Sequence, residues 1–383
     1  MKNYLCILLL VFSALVHAQE IKTVRKDIRT LTSSALWGRG YTQNGMTKTA
    51  DYLVSAFRTY GLLPMADTAY RQQFSYPVNT FPGKMQLILN GKQLIPGKDF
   101  IVEPSSSGLT EKNIRLQQSD SITYTAAKQR VLLSLQNKLT WSVAPKAGDY
   151  TAVLINKNNL DSKPERLDLN IENLYIPEFK ASNICGFIKG SSRPDSVILL
   201  TAHYDHLGGM GAEVFFPGAN DNASGIAMLL SLARYYAKNP PAYSIGFICF
   251  AGEEAGLLGS AYYTEHPLMD LSHIKFMINM DMVGTGETGI TVVNATLYKQ
   301  QFALLNQIND KNSYLIKINS RGKAANSDHY YFTEKGVPAF FIYTSGGISA
   351  YHDILDLPHT LPLTEFTDLR QLLIDFTAML TKE

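Results

Sequence analysis

Five polar clusters in the second half of the 383-residue chain carry side chains that bind metals. They are Thr201-Ala202-His203-Tyr204-Asp205-His206, the run 219–225 around Asp221-Asn222, the run 250–256 around Glu253-Glu254, the run 279–284 around Asp281, and a late His352. Taken together, His203, Asp221, Glu254, Asp281 and His352 offer two imidazoles, three carboxylates and no thiolate. Such a set suits zinc first, with cobalt or manganese behind it. Two metal ions side by side need one ligand that bridges them. Asp221 is the natural bridge, because it opens the helix-like run 224–238 with both carboxylate oxygens free. His203 with Asp281 then holds one ion, and Glu254 with His352 holds the other.

Glu253 and Glu254 are neighbours and cannot point the same way from one backbone. If Glu254 binds metal, Glu253 faces the open side and is placed to act as a general base toward water. Asp205, two residues after His203, is placed to accept the second ring N–H of a histidine ligand and fix its tautomer.

The elements that deliver these residues are short apolar runs. Runs 197–200, 245–250, 274–278 and 339–343 each end just before one of the clusters, the last in the loop that carries His352. Continuous runs of this kind suit strands buried on both faces, and helix-like segments alternate with them. The fold class is therefore α/β: a three-layer αβα arrangement around a mixed, mostly parallel sheet. Ligands of such sheets sit beyond the carboxyl ends of the strands, where all four clusters lie.

These motifs, H-Y-D-H, N-D-N-A-S-G, E-E-A-G-L-L-G-S, N-M-D-M-V-G and a late S-D-H followed by Y-H, resemble the M28 family of zinc peptidases. The resemblance covers roughly 180–360, and L-T-S-S-A-L-W-G-R-G with the helix ending at Gly61 looks like the family's lead-in. It implies a zinc exopeptidase fold with two zinc ions bridged by Asp221, the same ligand pairs as above, and a cis peptide at Asp221-Asn222. It also implies that Tyr351, just before the last histidine, helps to stabilise the tetrahedral intermediate. The activity implied is that of an aminopeptidase acting on peptide substrates. Arg321 and Lys323, in the loop before Ser327-Asp328-His329, leave a carboxypeptidase reading open, because a carboxylate terminus needs a cation. A dipeptidase, a glutaminyl cyclase and a non-catalytic binding protein are the further alternatives. The cyclases tend to carry tryptophan where Tyr351 stands.

The rest of the chain frames this core. Residues 1–18 read as a secretory signal peptide, with Lys2, an apolar stretch too short for a membrane span, and Val16-His17-Ala18 as a cleavage site. The mature chain is then exported, periplasmic or extracellular, with no stable membrane span. A net charge of +2 gives no nucleic-acid or polybasic-membrane signal. Residues 19–76 form a helical lead-in, with an amphipathic helix over 42–60. Trp37 and Arg39 read there as a packing residue and a surface charge.

Residues 77–180 read as a β-rich insertion that either caps the site or serves as scaffold; Asn90-Gly91 signals a hairpin there. Residues 181–383 form the catalytic core, in which 183–189 and 197–200 read as a strand pair around a turn. The segment 364–381 has the spacing of a packing helix. Cys185 and Cys249 are either buried thiols or a disulfide. His206 and His329, next to the motifs, are candidates for supporting or substrate-side roles, and Phe215 and Phe216 for core packing.

Overall fold

The computed structural model describes residues 19–65 and 69–382. The proposed signal peptide, 1–18, lies outside the described residues. Among the described residues the middle layer is a nine-stranded sheet. Its strands are β1 (Leu63–Pro64), β2 (Arg71–Thr80), β3 (Leu174–Ile188), β4 (Arg193–His203), β5 (Tyr243–Phe250), β6 (Ile274–Met280), β7 (Ile290–Val293), β8 (Ile318–Ser320) and β9 (Ala339–Thr344). They lie in the order β1-β3-β5-β4-β6-β9-β7-β8, with β2 also paired to β3. The centre, β5-β4-β6-β9, is parallel throughout. The flanks turn antiparallel where β3 meets β5 and where β7 meets β9. The sheet is thus mixed, as its sequence suggested.

The parallel strands are apolar without alternation because both of their faces are covered. Ile198, Leu200 and Ala202 of β4 face one core, while Leu199 faces the other. The first core is closed by a helix over 19–31, by Gly45–Tyr60, Gly225–Lys238 and Lys299–Asn312, and by the C-terminal helix Phe366–Leu380. The second is closed by Leu258–Glu265 and His329–Glu334 through Tyr263 and Phe332.

The expected pairing of 183–189 with 197–200 does not form: β5 lies between β3 and β4. The connecting turn is instead tied to the start of β5, with Ser191 donating to Pro241 O and Arg193 to Ala242 O. β5 is paired on both edges in this way, antiparallel to β3 and parallel to β4, which a direct hairpin between β3 and β4 would deny it. Cys185 and Cys249 are free and buried. Cys185 packs into one core and Cys249 into the other, so the sheet itself keeps the thiols apart.

Within segment 77–180, residues 81–171 build a core of their own from two small sheets, of four and five strands, while 77–80 and 174–180 belong to β2 and β3 of the large sheet. The hairpin Met85–Leu89/Lys92–Leu94 turns at Asn90 (φ 50) and Gly91 (φ 83), as a two-residue primed turn requires. That core also takes in Leu207, Met210 and Phe216 from the loop after β4. Phe216 stacks on Trp141 with ring centroids 4.8 Å apart. Among the described residues, no helix is long and apolar enough to cross a membrane.

Candidate metal centre

The site sits at the carboxyl ends of the parallel strands, in a cleft of about 560 Å³. His203 is the last residue of β4. Glu253 and Glu254 occupy the turn after β5, Asp281 directly follows β6, and His352 lies in the loop after β9. Asp221 sits at an irregular helical entry to Gly225–Lys238, and its peptide bond to Asn222 is cis.

The side chains converge on Asp221. His203 Nε2 lies 3.4 Å from Asp221 Oδ1 and 3.3 Å from Asp281 Oδ1. His352 Nε2 lies 3.1 Å from Asp221 Oδ2 and 3.1 Å from Glu254 Oε2. The two oxygens of one carboxylate therefore face two separate imidazoles, each with a second carboxylate beside it. Grouped by donor-atom proximity, the same cleft gives His203-Glu253-Asp281 and His206-Asp221-Glu254, with atoms within 4.8 Å of one another. Both His206 and His352 approach Glu254. His206 Nδ1 sits 2.6 Å from Glu254 Oε1 and so braces one oxygen, whereas His352 faces Glu254 Oε2 and Asp221 together.

The electrostatics show what the donor set fits. Burial works against a charged His203, yet Asp281, Glu253 and Asp221 outweigh it and raise its pKa well above the usual value. Burial opposes charge on His352 too, but Glu254 and Asp221 carry it up to about 11. The cleft thus favours positive charge at two points, both facing Asp221. Glu254 is held well below the usual carboxylate range, burial being overcome by His352 and His206. Glu253 moves the other way. Burial lifts it well above its ordinary value despite His203, and Asp281 and Glu254 add to the effect. Hard oxygen donors, imidazoles and a need for two centres of positive charge fit two zinc ions bridged by Asp221.

Each of these residues is held by neighbours. His203 Nδ1 lies 3.1 Å from the main-chain oxygen of Asp205, while the Asp205 carboxylate stands 3.8 Å away. The expectation that this carboxylate would hold the ring is corrected here. It accepts instead the backbone N–H groups of Glu253 and Glu254, at 3.2 and 3.3 Å, because that turn presents two otherwise unpaired donors to it. Burial raises Asp205 to about 7, with Glu254 adding to the effect. Asp281 Oδ2 accepts from Ser327, which accepts from Asn279, which in turn accepts from Thr201 on β4. Tyr351 stacks on His352 with centroids 3.9 Å apart, and it is 42 % exposed to the cleft side. Burial and the surrounding carboxylates, Asp221 first, keep its phenol protonated.

Two supporting residues escaped the sequence reading. Arg39 is not a surface charge: it is fully buried, and all five of its N–H groups reach carbonyls, of Leu31, Tyr204, Pro217, Gly218 and Asp221. Asp356 accepts from the N–H of Asn220 and of Asp221. Its neighbours offer no pattern to find it by. For Arg39 the one available signal was its flanking glycines: Gly38 and Gly40 lie against the backbone of Gly208, where a Cβ would not fit. Lys323 pairs with Glu334 outside the cleft, while Arg321 lines it.

Comparison with known proteins adds to this geometry. A model of peptidase family M28 matches residues 183–377. Over 108 residues the chain is 41% identical to aminopeptidase YwaD of Bacillus subtilis, covering 27% of this chain and 22% of that protein. Over 171 residues it is 33% identical to a probable zinc metalloprotease of Leptosphaeria maculans, covering 42% and 39%. The matched segments thus span well under half the length of these curated relatives. In overall fold the chain is similar to a zinc aminopeptidase from Bacillus subtilis, with a TM-score of 0.69 at 21% identity over 94% and 95% of the two chains. It is similar also to a peptidase M28 precursor from Shewanella amazonensis, with a TM-score of 0.72 at 14% identity over 97% and 96%.

Proposed function

The chain belongs to peptidase family M28, and from that premise we propose that it is an exported di-zinc exopeptidase, acting as an aminopeptidase on peptides. The observation that carries the proposal is the sharing of Asp221 between His203 and His352, with Asp281 and Glu254 completing the two halves. Zinc, when bound, polarises a carbonyl and acidifies water. His203, Asp281 and Asp221 would hold one ion, and His352, Glu254 and Asp221 the other.

Glu253 lines the same cleft and serves as the general base. Its raised proton affinity suits a group that takes a proton from the attacking water and then passes it to the leaving amine. The Asp205 carboxylate, by fixing the turn's N–H groups, sets where Glu253 and Glu254 point. His206 braces the oxygen of Glu254 that faces away from His352. Tyr351, neutral and at the cleft's edge, donates a hydrogen bond from its phenol to the oxyanion that develops on the scissile carbonyl.

Preference for the amino terminus draws support from the relatives named as aminopeptidases and from the tying of Lys323 to Glu334. One observation favours a second reading: Arg321 lines the cleft and could meet a substrate carboxylate, as in a carboxypeptidase. Aminoacyl-chromophore substrates and matched N-blocked peptides, each with and without chelator, separate the two. Chelator-sensitive cleavage of the free-amine substrates alone is expected. Cleavage of the blocked peptides alone would transfer the assignment to a carboxypeptidase. Silence on both, with two zinc ions bound, would refute the peptidase reading.

A further inference from the structure

His352 differs from the other candidate ligands in how it is held. It sits in a loop, and its backbone is in the left-handed region at φ 52. A non-glycine residue persists there only where its surroundings over-determine it. Those surroundings come from segment 77–180. The Trp141 N–H donates to His352 O at 2.9 Å. In the reverse direction, His352 Nδ1 lies 3.0 Å from Trp141 O. A carbonyl can only accept, so Nδ1 carries the proton and Nε2 is the nitrogen that faces Asp221 and Glu254.

Trp141 is in turn fixed. Its indole Nε1 donates to Val102 O at 2.7 Å, and its ring stacks on Phe216. Three residues earlier, the Lys138 ammonium donates to Ser349 O at 3.0 Å and pairs with Asp353 at 3.2 Å. The strap therefore grips the loop on both sides of His352. His203 and Asp281 receive no such contact: they lean on Asp205, Ser327 and the strand ends.

We infer that the strap 138–141 is the positioning element for His352, so that the Glu254–His352 half of the centre depends on segment 77–180 while the His203–Asp281 half does not. The inference rests on the two-zinc reading above. It assigns the segment a task besides capping or scaffolding: supplying, from outside the core, the hydrogen bond that sets the tautomer and aim of one ligand.

Zinc stoichiometry and affinity, measured by competition with a chromophoric chelator on the purified full chain, test this without any assay of turnover. Wild type is expected to bind two zinc ions. Loss of the partner that orients a histidine ligand typically weakens metal affinity about 10–100-fold. Trp141→Ala keeps the main-chain N–H and carbonyl that meet His352 but removes the indole that fixes them through Val102 and Phe216, and is therefore expected to keep one ion at wild-type affinity and to weaken the other by up to about that factor. Trp141→Phe, which keeps the stacking on Phe216, is expected to recover most of it. Lys138→Met removes an ammonium from the rim without touching the small core, and is expected to weaken the same ion several-fold; it decides the matter if Trp141→Ala does not fold. Unchanged affinity for both ions in folded Trp141→Ala and Lys138→Met overturns the inference, and so does equal weakening of both ions. A wild-type chain that binds fewer than two ions refutes the two-zinc reading itself, and the strap's role with it.

Discussion

Replacing Arg39 by methionine should be among the costliest single changes available in this chain. The side chain is fully buried, and its guanidinium spends every N–H on a different part of the backbone: Leu31 O at 3.1 Å, Tyr204 O at 2.9 Å, Pro217 O at 2.7 Å, Gly218 O at 2.8 Å and Asp221 O at 3.0 Å. Methionine matches much of the volume and supplies no donor. A hydrogen bond from a charged group contributes roughly 1.5–3 kcal/mol, and a carbonyl left buried without a partner costs roughly 1–3 kcal/mol. The five are not additive, because one rigid fork serves them all. Against them stands the cost of burying the cation. Burial draws its pKa well below the usual guanidinium value, to about 10, although Asp221 and Asp356 pull the other way. At about 1.4 kcal/mol per unit that shift returns about 3 kcal/mol when the charge is removed.

The balance is a net loss of about 4–6 kcal/mol, in the range reserved for broken buried networks. Arg39→Lys keeps the charge but has only three donors on one atom, and should recover about half of that loss. Denaturant unfolding is the assay, run in chelator so that metal linkage does not enter. A loss within about 1 kcal/mol of wild type for Arg39→Met would show that water or local movement satisfies the five carbonyls, and would refute the network argument.

Two further outcomes are expected. Glu253→Gln, which keeps shape and removes the base, should still bind two zinc ions while turnover falls about 10²–10⁴-fold; zinc counting beside kinetics checks it, and near-normal rates would remove Glu253 from its role. His329, buried so that its pKa falls from 6.5 to about 4, binds fewer protons folded than unfolded between those values. Stability should therefore drop as pH falls through that window, by up to about 3 kcal/mol from this one group, and His329→Gln should flatten that part of the profile in metal-free unfolding at pH 7 and pH 4.5.

The parts of this molecule that could be read in the sequence are those where one short segment carries the whole signal. An unbroken apolar run such as 197–200 states that both faces of a strand are covered, and the polar residues that follow it are then placed at a strand end. Asn90-Gly91 states its turn by the positive φ that both residues tolerate. The failures share a different cause. Arg39 and Asp356 act on backbone groups far away in the chain, and a carbonyl or an N–H has no letter in the sequence. A charged residue then reads as surface until its acceptors are seen. Asp205 failed for a subtler reason: its spacing from His203 is right, but two backbone donors compete for its carboxylate and the ring is left to the main chain. The misplaced neighbour of β3 is the same problem at the level of strands, since proximity in sequence says nothing about β5 arriving between them.

Asp221 shows why this hidden layer matters to the chemistry. A bridging carboxylate must aim two oxygens at two points, so its backbone has to be fixed more firmly than that of a terminal ligand. Its N–H is taken by Asp356 and its C=O by Arg39, an anion and a cation buried on opposite sides of one residue. Each of these charges would be costly alone. Placed across Asp221, each satisfies backbone groups that an irregular helix entry leaves without helical partners. The five donors then fall into two kinds. His203, Asp221, Glu254 and Asp281 are held by residues outside segment 77–180, whereas His352 hangs from a loop gripped by that segment. The bridge joins the two, so its rigidity is what allows a loop-borne histidine to complete a site that the strands can only half build.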